Sequence, residues 1–405
     1  MTTDSDPSTL VATLHERFDD ESGRRTDPVT VASAPGRVNL VGGHTDYNEG
    51  FVLPVAVDRR VTVAVRPRTD RRIRVHSRDF EDTDAFDLDR IERLDGSHWA
   101  NYVRGVAREL RDVEESAGVL AGADLVVDGT VPVGAGLGSS AAFELAVGAG
   151  LVAANDLDVD RRALARACRA AENDFVGVDC GIMDQFAAAF GAADAALFLD
   201  CRDETFESIP IAGDVRIVVT DTNVRHDLVE SAYNERRREC ERGVAALDEC
   251  FEDVAVTALR DVSPGALEGC ADRLDGTIRR RVEHVVTEIA RVEAAATALE
   301  RGDLAAVGDR MHESHASLRD RYGVSCDELD AVVEIAGEID GVYGSRMTGA
   351  GFGGSVVSLV RPAAVDRFER TVTSGYRERF GLEADVYVCE ADDGVRTRRR
   401  EGPQS

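Results

Sequence analysis

The sequence predicts an α+β chain of two domains, and three observations predict it. Its 405 residues are more than one core ordinarily serves, since domains run to about 100–200 residues. The first half mixes β-branched runs with helical periods, whereas the second half is richer in helix. A polar stretch at 202–208 separates them and divides the chain into expected domains 1–205 and 206–405.

Each element follows from its pattern. A short β-branched run at 29–31 is followed by strand-like runs at 61–65, 73–76 and 123–127. Helical runs occupy 99–113, 140–154 and 160–174, the last with charges on one face and Leu and Ala on the other. The runs 193–200 and 215–221 read as buried strands. Residues 227–248 carry charge through their centre (NERRRECERG) with an apolar residue every three or four, and 277–299 keep the same period. Strands are expected again at 356–360 and 384–389. Hydrophobic residues make up 43% of the chain, enough for a proper core, and no apolar run approaches the ~20 residues of a membrane span. The polar, acidic start MTTDSDPSTL is unlike a secretory signal, so a cytoplasmic protein is expected.

The formal net charge is −28, which repels phosphate backbones and argues against nucleic acid as a partner. There is no lysine; all 48 basic residues are arginine. An acidic, lysine-free chain suggests a salt-loving source. It also excludes a Walker A lysine, a protein-kinase strand lysine and Schiff-base chemistry on lysine. Phosphate would have to be held by backbone N–H groups, a helix N-terminus, a metal ion and arginine. The basic run RTRRR at 396–400 reads as a solvated tail. Eight scattered cysteines without a CxxC pair read as free thiols.

Three loop- and glycine-rich segments stand out, and a fourth stretch adds carboxylates. Residues 34–50 read APGRVNLVGGHTDYNEG and gather Arg37, Asn39, His44, Asp46, Tyr47 and Asn48 beside a strand end, where scaffolds place binding groups. Residues 131–142 read VPVGAGLGSSAA. Glycines at alternate positions 134, 136 and 138 let backbone amides curl around an anion, and the helix that follows adds its positive end. The serines at that junction can cap the helix or ligate Mg²⁺. Residues 347–355 read MTGAGFGGS, either a tight turn between strands or a close approach of backbone to a site. A fourth stretch, ENDFVGVDCGIMDQ at 172–185, places Glu172 and Asp184 twelve positions apart. His312 and His315 are spaced by three rather than the four of HExxH, so they read as structural.

In this order and spacing the three segments resemble those of GHMP-type small-molecule kinases. The first resembles the galactokinase signature, and CGIMDQ is similar to the galactokinase pattern at every position. The resemblance spans roughly residues 30–390 and implies the two-domain GHMP fold: an α/β N-terminal domain, a ferredoxin-like C-terminal domain and an active site between them. It implies ATP-dependent phosphorylation of the anomeric hydroxyl of galactose, with Mg²⁺. By resemblance Asp184 is the catalytic carboxylate, and Arg37 keeps it ionised and stabilises the moving phosphoryl group. Gly43, His44, Thr45, Asp46, Gly181 and Tyr233 would bind sugar. Trp99, Gly134, Ala135, Gly136, Leu137, Gly138, Ser139 and Ser140 would bind ATP, and Ser140 with Glu172 would hold Mg²⁺. Cys180 would be a buried neighbour and not a nucleophile.

The chain departs from the pattern at one point. Galactokinases typically have Glu-His-Thr-Asp where it has Gly43-His44-Thr45-Asp46, and that glutamate receives the sugar's 6-hydroxyl. Gly43 is therefore expected to open space there, leaving galactose first and a related sugar (galacturonate, fucose or arabinose) second. The rival reading is a sugar- and ATP-binding sensor without catalysis. A mevalonate or homoserine kinase would share the phosphate loop but lack HTDYN and CGIMDQ.

Overall fold

The computed structural model describes residues 6–19, 28–96, 98–112, 118–211, 213, 215–225, 229–251 and 255–400. Residue 113 of one expected helix and residues 227–228 of another lie outside them. The first lobe contains α1 (Pro7–Phe18), β1 (Val29–Asn39), β2 (Phe51–Val52), β3 (Pro54–Pro67), β4 (Arg72–Ser77), β5 (Asp82–Asp87), α2 (Ala100–Asp112), β6 (Ala123–Gly129), α3 (Ser139–Ala154), α4 (Arg161–Ala170) and α5 (Met183–Phe190). The hairpin β7 (Ala195–Asp200) and β8 (Thr205–Pro210) leads to β9 (Arg216–Asp221) and the second lobe. There follow α6 (Val229–Asp248), α7 (Pro264–Cys270), α8 (Gly276–Glu300), α9 (Leu304–Ser317), α10 (Asp327–Gly337), β10 (Val342–Thr348), β11 (Ser355–Val360), α11 (Val365–Phe380), β12 (Asp385–Cys389) and β13 (Arg396–Arg400).

Local chemistry starts these helices where the sequence allows. Asp160 caps α4 by accepting from Ala163 N at 2.8 Å. Asp275 caps α8 through Thr277 N and Ile278 N, both at 2.9 Å. The helix α3 is apolar all round and buried, as a helix packed between a sheet and other helices must be. Its small residues let it lie close to β1 and β3: a Cβ on Gly150 would sit 2.7 Å from Val65.

A six-stranded sheet runs in the order β13-β1-β3-β6-β4-β5, antiparallel except for the β4–β6 pair. The second lobe carries an antiparallel sheet in the order β10-β11-β9-β12, the ferredoxin-like arrangement expected. Its two faces alternate with the pleat. Val218, Val356 and Val360 pack on the helices of the second lobe, whereas Ile217, Val219, Val357 and Leu359 join the core of the first. Apolar packing thus runs without a break between lobes, and the cleft is a seam in one body.

Two expectations are corrected, and the expected boundary is placed against the strands. The run 396–400 is no solvated tail: it pairs with β1 from Val29↔Arg400 to Ser33↔Arg396 and forms the edge of the first sheet. The expected division at 205 falls inside the β7–β8 hairpin, and the last strand of the chain belongs to the first lobe's sheet. Nor are all eight cysteines free, because Cys250 and Cys270, brought together by the ends of α6 and α7, form a disulfide with a Cα–Cα distance of 6.2 Å. No spacing rule reveals a pair that two helix ends create.

Arg60 holds the returning C-terminal segment. It is 2% exposed and donates to Asp392 Oδ2 (2.7 Å), Asp393 O (2.8 Å), Gly394 O (2.9 Å) and Ser33 O (3.0 Å). Arg60→Ala is expected to cost about 3 kcal/mol in urea denaturation, because it strands several buried acceptors at once. Arg60→Lys should recover less than half, since an ammonium cannot fork.

Candidate active site

The loop at 131–138 takes its shape from alternation. Gly134, Gly136 and Gly138 have φ of 74°, 73° and 67°, a region closed to most side chains. Ala135 and Leu137 between them are fully buried and pin the loop. Ser355 Oγ donates to Ala135 O at 2.7 Å, and Arg37 N donates to Leu137 O at 2.8 Å. Gly138, left-handed, caps α3 with no side-chain bond, so Ser139 and Ser140 keep their hydroxyls for other partners instead of capping. The third glycine segment serves both expected purposes. It turns β10 into β11, and a Cβ on Gly349 would lie 2.9 Å from Gly136 Cα.

Arg37, at the end of β1, reaches Asp184 in the first turn of α5. Its Nε donates to Asp184 Oδ1 at 2.7 Å and its Nη2 to Oδ2 at 2.6 Å, a bidentate fork. Its Nη1 donates to Gly136 O at 2.6 Å. One guanidinium thus joins the glycine loop to the carboxylate. Glu172 follows α4 in a π-helical turn, Ala171–Val176, a local widening common at functional sites. Gln185 Nε2 donates to Glu172 Oε2 at 2.8 Å, and the Ser140 side chain stands near the same carboxyl. Burial and the charge of Asp184 push the Glu172 carboxyl up to about 7.

A pocket of about 180 Å³ opens onto these groups, lined by Arg37, His44, Asp46, Glu172, Cys180, Gly181, Asp184 and Tyr233. Gly349 and Ala350 of the third glycine segment also line it, the close approach of backbone that the sequence suggested. Gly181 is small for a reason: a Cβ there would lie 2.1 Å from Asp46 Oδ2. Burial and Asp184 raise the Asp46 carboxyl to about 6. Cys180 is inert, its thiol pushed well up by burial and Glu172.

Of three further residues expected at the sugar, His44 lines the pocket and Thr45 and Gly43 do not. Both His44 ring nitrogens already have partners: Nε2–H donates to Ala350 O at 3.1 Å, so Nδ1 accepts from Tyr47 Oη at 2.9 Å. Burial and His284 lower His44 to about 3, so a neutral ring lines the pocket. Thr45 is fully buried, and its Oγ1 donates to Phe51 O (2.7 Å) and Gly42 O (3.0 Å), holding the turn and not lining the pocket. Gly43 opens no space. A Cβ there would point to Arg346 Nη2 at 2.7 Å and Leu318 at 3.1 Å, so the guanidinium fills the volume a side chain would take.

A second cavity of about 130 Å³ lies beside the glycine loop. Phe80, Trp99, Tyr102, Val131, Val133 and Phe143 wall it, with Asp79, Ser139 and Ser140 at its edges. Trp99 lies 8° from parallel to Phe80, and its Nε1 donates to Asp82 Oδ2 at 3.1 Å. Of its aromatic walls only Trp99 was legible beforehand, because Phe80, Tyr102 and Phe143 come from separate elements. His312 and His315 are structural, as expected: each accepts a backbone N–H of β10, from Ser345 and Met347 respectively.

The fold and the glycine loop define a GHMP kinase: the family models for the GHMP kinases N terminal domain and C terminal match residues 101–192 and 295–378. The galactokinase galactose-binding signature matches residues 16–67. Two relatives, each a galactokinase, are 48% identical: that of Roseiflexus sp. (strain RS-1) over 94% of this chain and 96% of its own, and that of Chloroflexus aggregans over 95% and 97%. The crystal structure of Lactococcus lactis galactokinase complexed with galactose superposes with a TM-score of 0.90 at 36% identity, covering 96% of this chain and 99% of that one. Methanococcus jannaschii mevalonate kinase, at 16% identity and a TM-score of 0.63 over 90% and 98%, shares the fold. The chain belongs to the galactokinase family.

Asp46 places a charge where it is costly. Its carboxyl rises from 3.8 to about 6 in the folded protein. The unfolded chain therefore loses this proton first, and the folded state loses stability as pH climbs from about 4 to about 6. The full cost, at most on the order of 3 kcal/mol, applies above that window. Asp46→Asn should therefore melt higher than the parent at pH 8 and much closer to it at pH 4, measured by thermal unfolding in matched buffers.

Proposed function

We propose that the chain transfers the γ-phosphoryl group of ATP to the anomeric hydroxyl of galactose. The observation that carries this is the Arg37 fork, which holds Asp184 on the wall of one pocket while touching the glycine loop beside the other. Galactose occupies the pocket of Asp46, Gly181, Asp184 and Tyr233, with the His44 ring as a neutral wall. ATP lays its base between Trp99 and its aromatic neighbours and its phosphates on the N–H groups of residues 134–140. The hydroxyl oxygen attacks the γ-phosphorus, the bond to the β-phosphate oxygen breaks, and the hydroxyl proton passes to Asp184 as ADP leaves. Arg37 holds Asp184 in place to receive it and offsets charge gathering on the phosphoryl oxygens.

The residues fit Mg²⁺. A serine hydroxyl beside a buried carboxyl, with the Asp184 carboxylate close by, offers a hard cation the oxygen donors it prefers. Ser140 and Glu172 would hold it, and bound there it would neutralise charge on the β- and γ-phosphates. A sensor without catalysis would have no need of the Arg37–Asp184 fork. Because Gly43 faces Arg346 and not the pocket, its lack of a side chain leaves galactose as the sugar of choice.

An ADP-release assay tests the reading. Galactose should drive turnover at a higher kcat/KM than fucose, arabinose, galacturonate or N-acetylgalactosamine, and Asp184→Asn should lower kcat by at least ~10³-fold in a folded protein. Binding without turnover would favour the sensor, and a tenfold preference for another sugar would overturn the substrate.

The charge of −28 without lysine further supports a cytoplasmic, salt-adapted enzyme, because unscreened carboxylates repel one another. The thermal midpoint should rise by more than 10 °C from dilute buffer to about 2 M KCl. Full stability in dilute buffer would contradict this.

A further inference from the structure

The sugar-facing turn is held from behind by one helix. His284 and Glu288 lie one turn apart on α8, and both are fully buried. His284 Nε2–H donates to Gly43 O at 3.0 Å, and Glu288 Oε1 accepts from Gly42 N at 2.9 Å and Gly43 N at 3.2 Å. Both backbone polar groups of Gly43 thus end on side chains of α8. The next residue, His44, has a left-handed φ of 62°, a conformation that persists in a bulky residue only where the surroundings over-determine it. Asp46 follows two positions later. The positions of His44 and Asp46 on the pocket wall are therefore set where the peptides before them are tied to α8.

The charges show why a carboxylate stands there. Arg346 is 1% exposed and donates from Nη1 to Asn39 O at 3.3 Å. Arg291 pairs with Glu288 Oε2 from its own helix. Burial alone would raise the Glu288 carboxyl; Arg291, His284 and Arg346 outweigh it and hold it at about 2. Ser314 Oγ also donates to Oε1, so α9 fixes the carboxylate from its other side. An ordinary helix ion pair would use Glu288 for Arg291 alone, on the surface, and would be worth little. Here Oε1 is turned away to the sugar-facing turn.

Building on the galactokinase reading, we propose that Glu288, supported by His284, is a positioning residue for galactose. It holds the Gly42–Gly43 peptides and so sets His44 and Asp46 against the sugar without touching it. Position 43 serves through its backbone, and Arg346 occupies the space where its side chain would stand.

Glu288→Gln keeps the shape and removes the charge. It is expected to raise the KM for galactose at least tenfold, with the KM for ATP within twofold and kcat within threefold of the parent. His284→Phe keeps a ring and removes the donor to Gly43 O, and should shift the galactose KM in the same direction by three- to tenfold. Glu288→Asp, with its carboxylate drawn back by one methylene, should fall between the parent and Glu288→Gln. A merely structural role would lower the thermal midpoint while moving both KM values together, or neither, and that result in either folded variant would overturn the proposal. If Glu288→Gln does not fold, His284→Phe decides alone by the same criterion. A parent protein without galactose-dependent ADP release would instead overturn the galactokinase reading, so the two failures are told apart.

Discussion

The active site depends on one guanidinium. Arg37 leaves the end of β1, spends two donors on the oxygens of Asp184 and a third on the carbonyl of Gly136. Strand β1, helix α5 and the glycine loop are thereby fixed to one another at hydrogen-bond distance. Arginine is suited to this because its donors are coplanar and always charged. A lysine's three donors all leave one nitrogen, so it could not fork onto both carboxylate oxygens and still span to the carbonyl. In a chain without lysine the same residue type must also supply cationic charge to the transferring phosphate.

Around that fork the protein gathers more negative charge than it neutralises. Asp46, Glu172 and Glu144 all have carboxyls raised by burial and by neighbouring acids. Such crowding weakens the folded state wherever these carboxyls are ionised. Glu288 is the contrast. It is equally buried, yet two arginines hold it well below the ordinary range. Asp46 and Glu172 on the pocket wall are strained, whereas Glu288 behind the turn is satisfied.

The scaffold meets these demands by sharing one interior between lobes. The ferredoxin-like sheet turns one face to its own helices and the other to the first core. The last strand of the chain returns to the first sheet, and Arg60 clasps the segment before it. Loops from both lobes therefore meet at the cleft on a common rigid base, which tolerates the left-handed His44 and the close Gly349–Gly136 approach.

Much of this was legible in the sequence because it is local. Periodicity placed the helices at 140–154 and 277–299 and the strands at 61–65 and 356–360, and the motifs supplied Arg37, Asp184, Glu172, Asp46, Gly181 and Tyr233 to one pocket and Trp99, Ser139 and Ser140 to a second. What a residue is worth once placed depended on partners far along the chain. Thr45 and His44 belong to the same motif as Asp46, yet their polar atoms are taken by Phe51 and Gly42 or by Tyr47 and Ala350. RTRRR resembles a tail by composition and becomes a strand only because β1 offers an unpaired edge. Gly43 is the sharpest case: its sequence neighbours suggest a missing sugar contact, whereas the fold turns its Cα toward Arg346, about three hundred residues away. Hydrogen-bond competition and side-chain direction are settled by non-local packing, and sequence spacing alone carries no information about them.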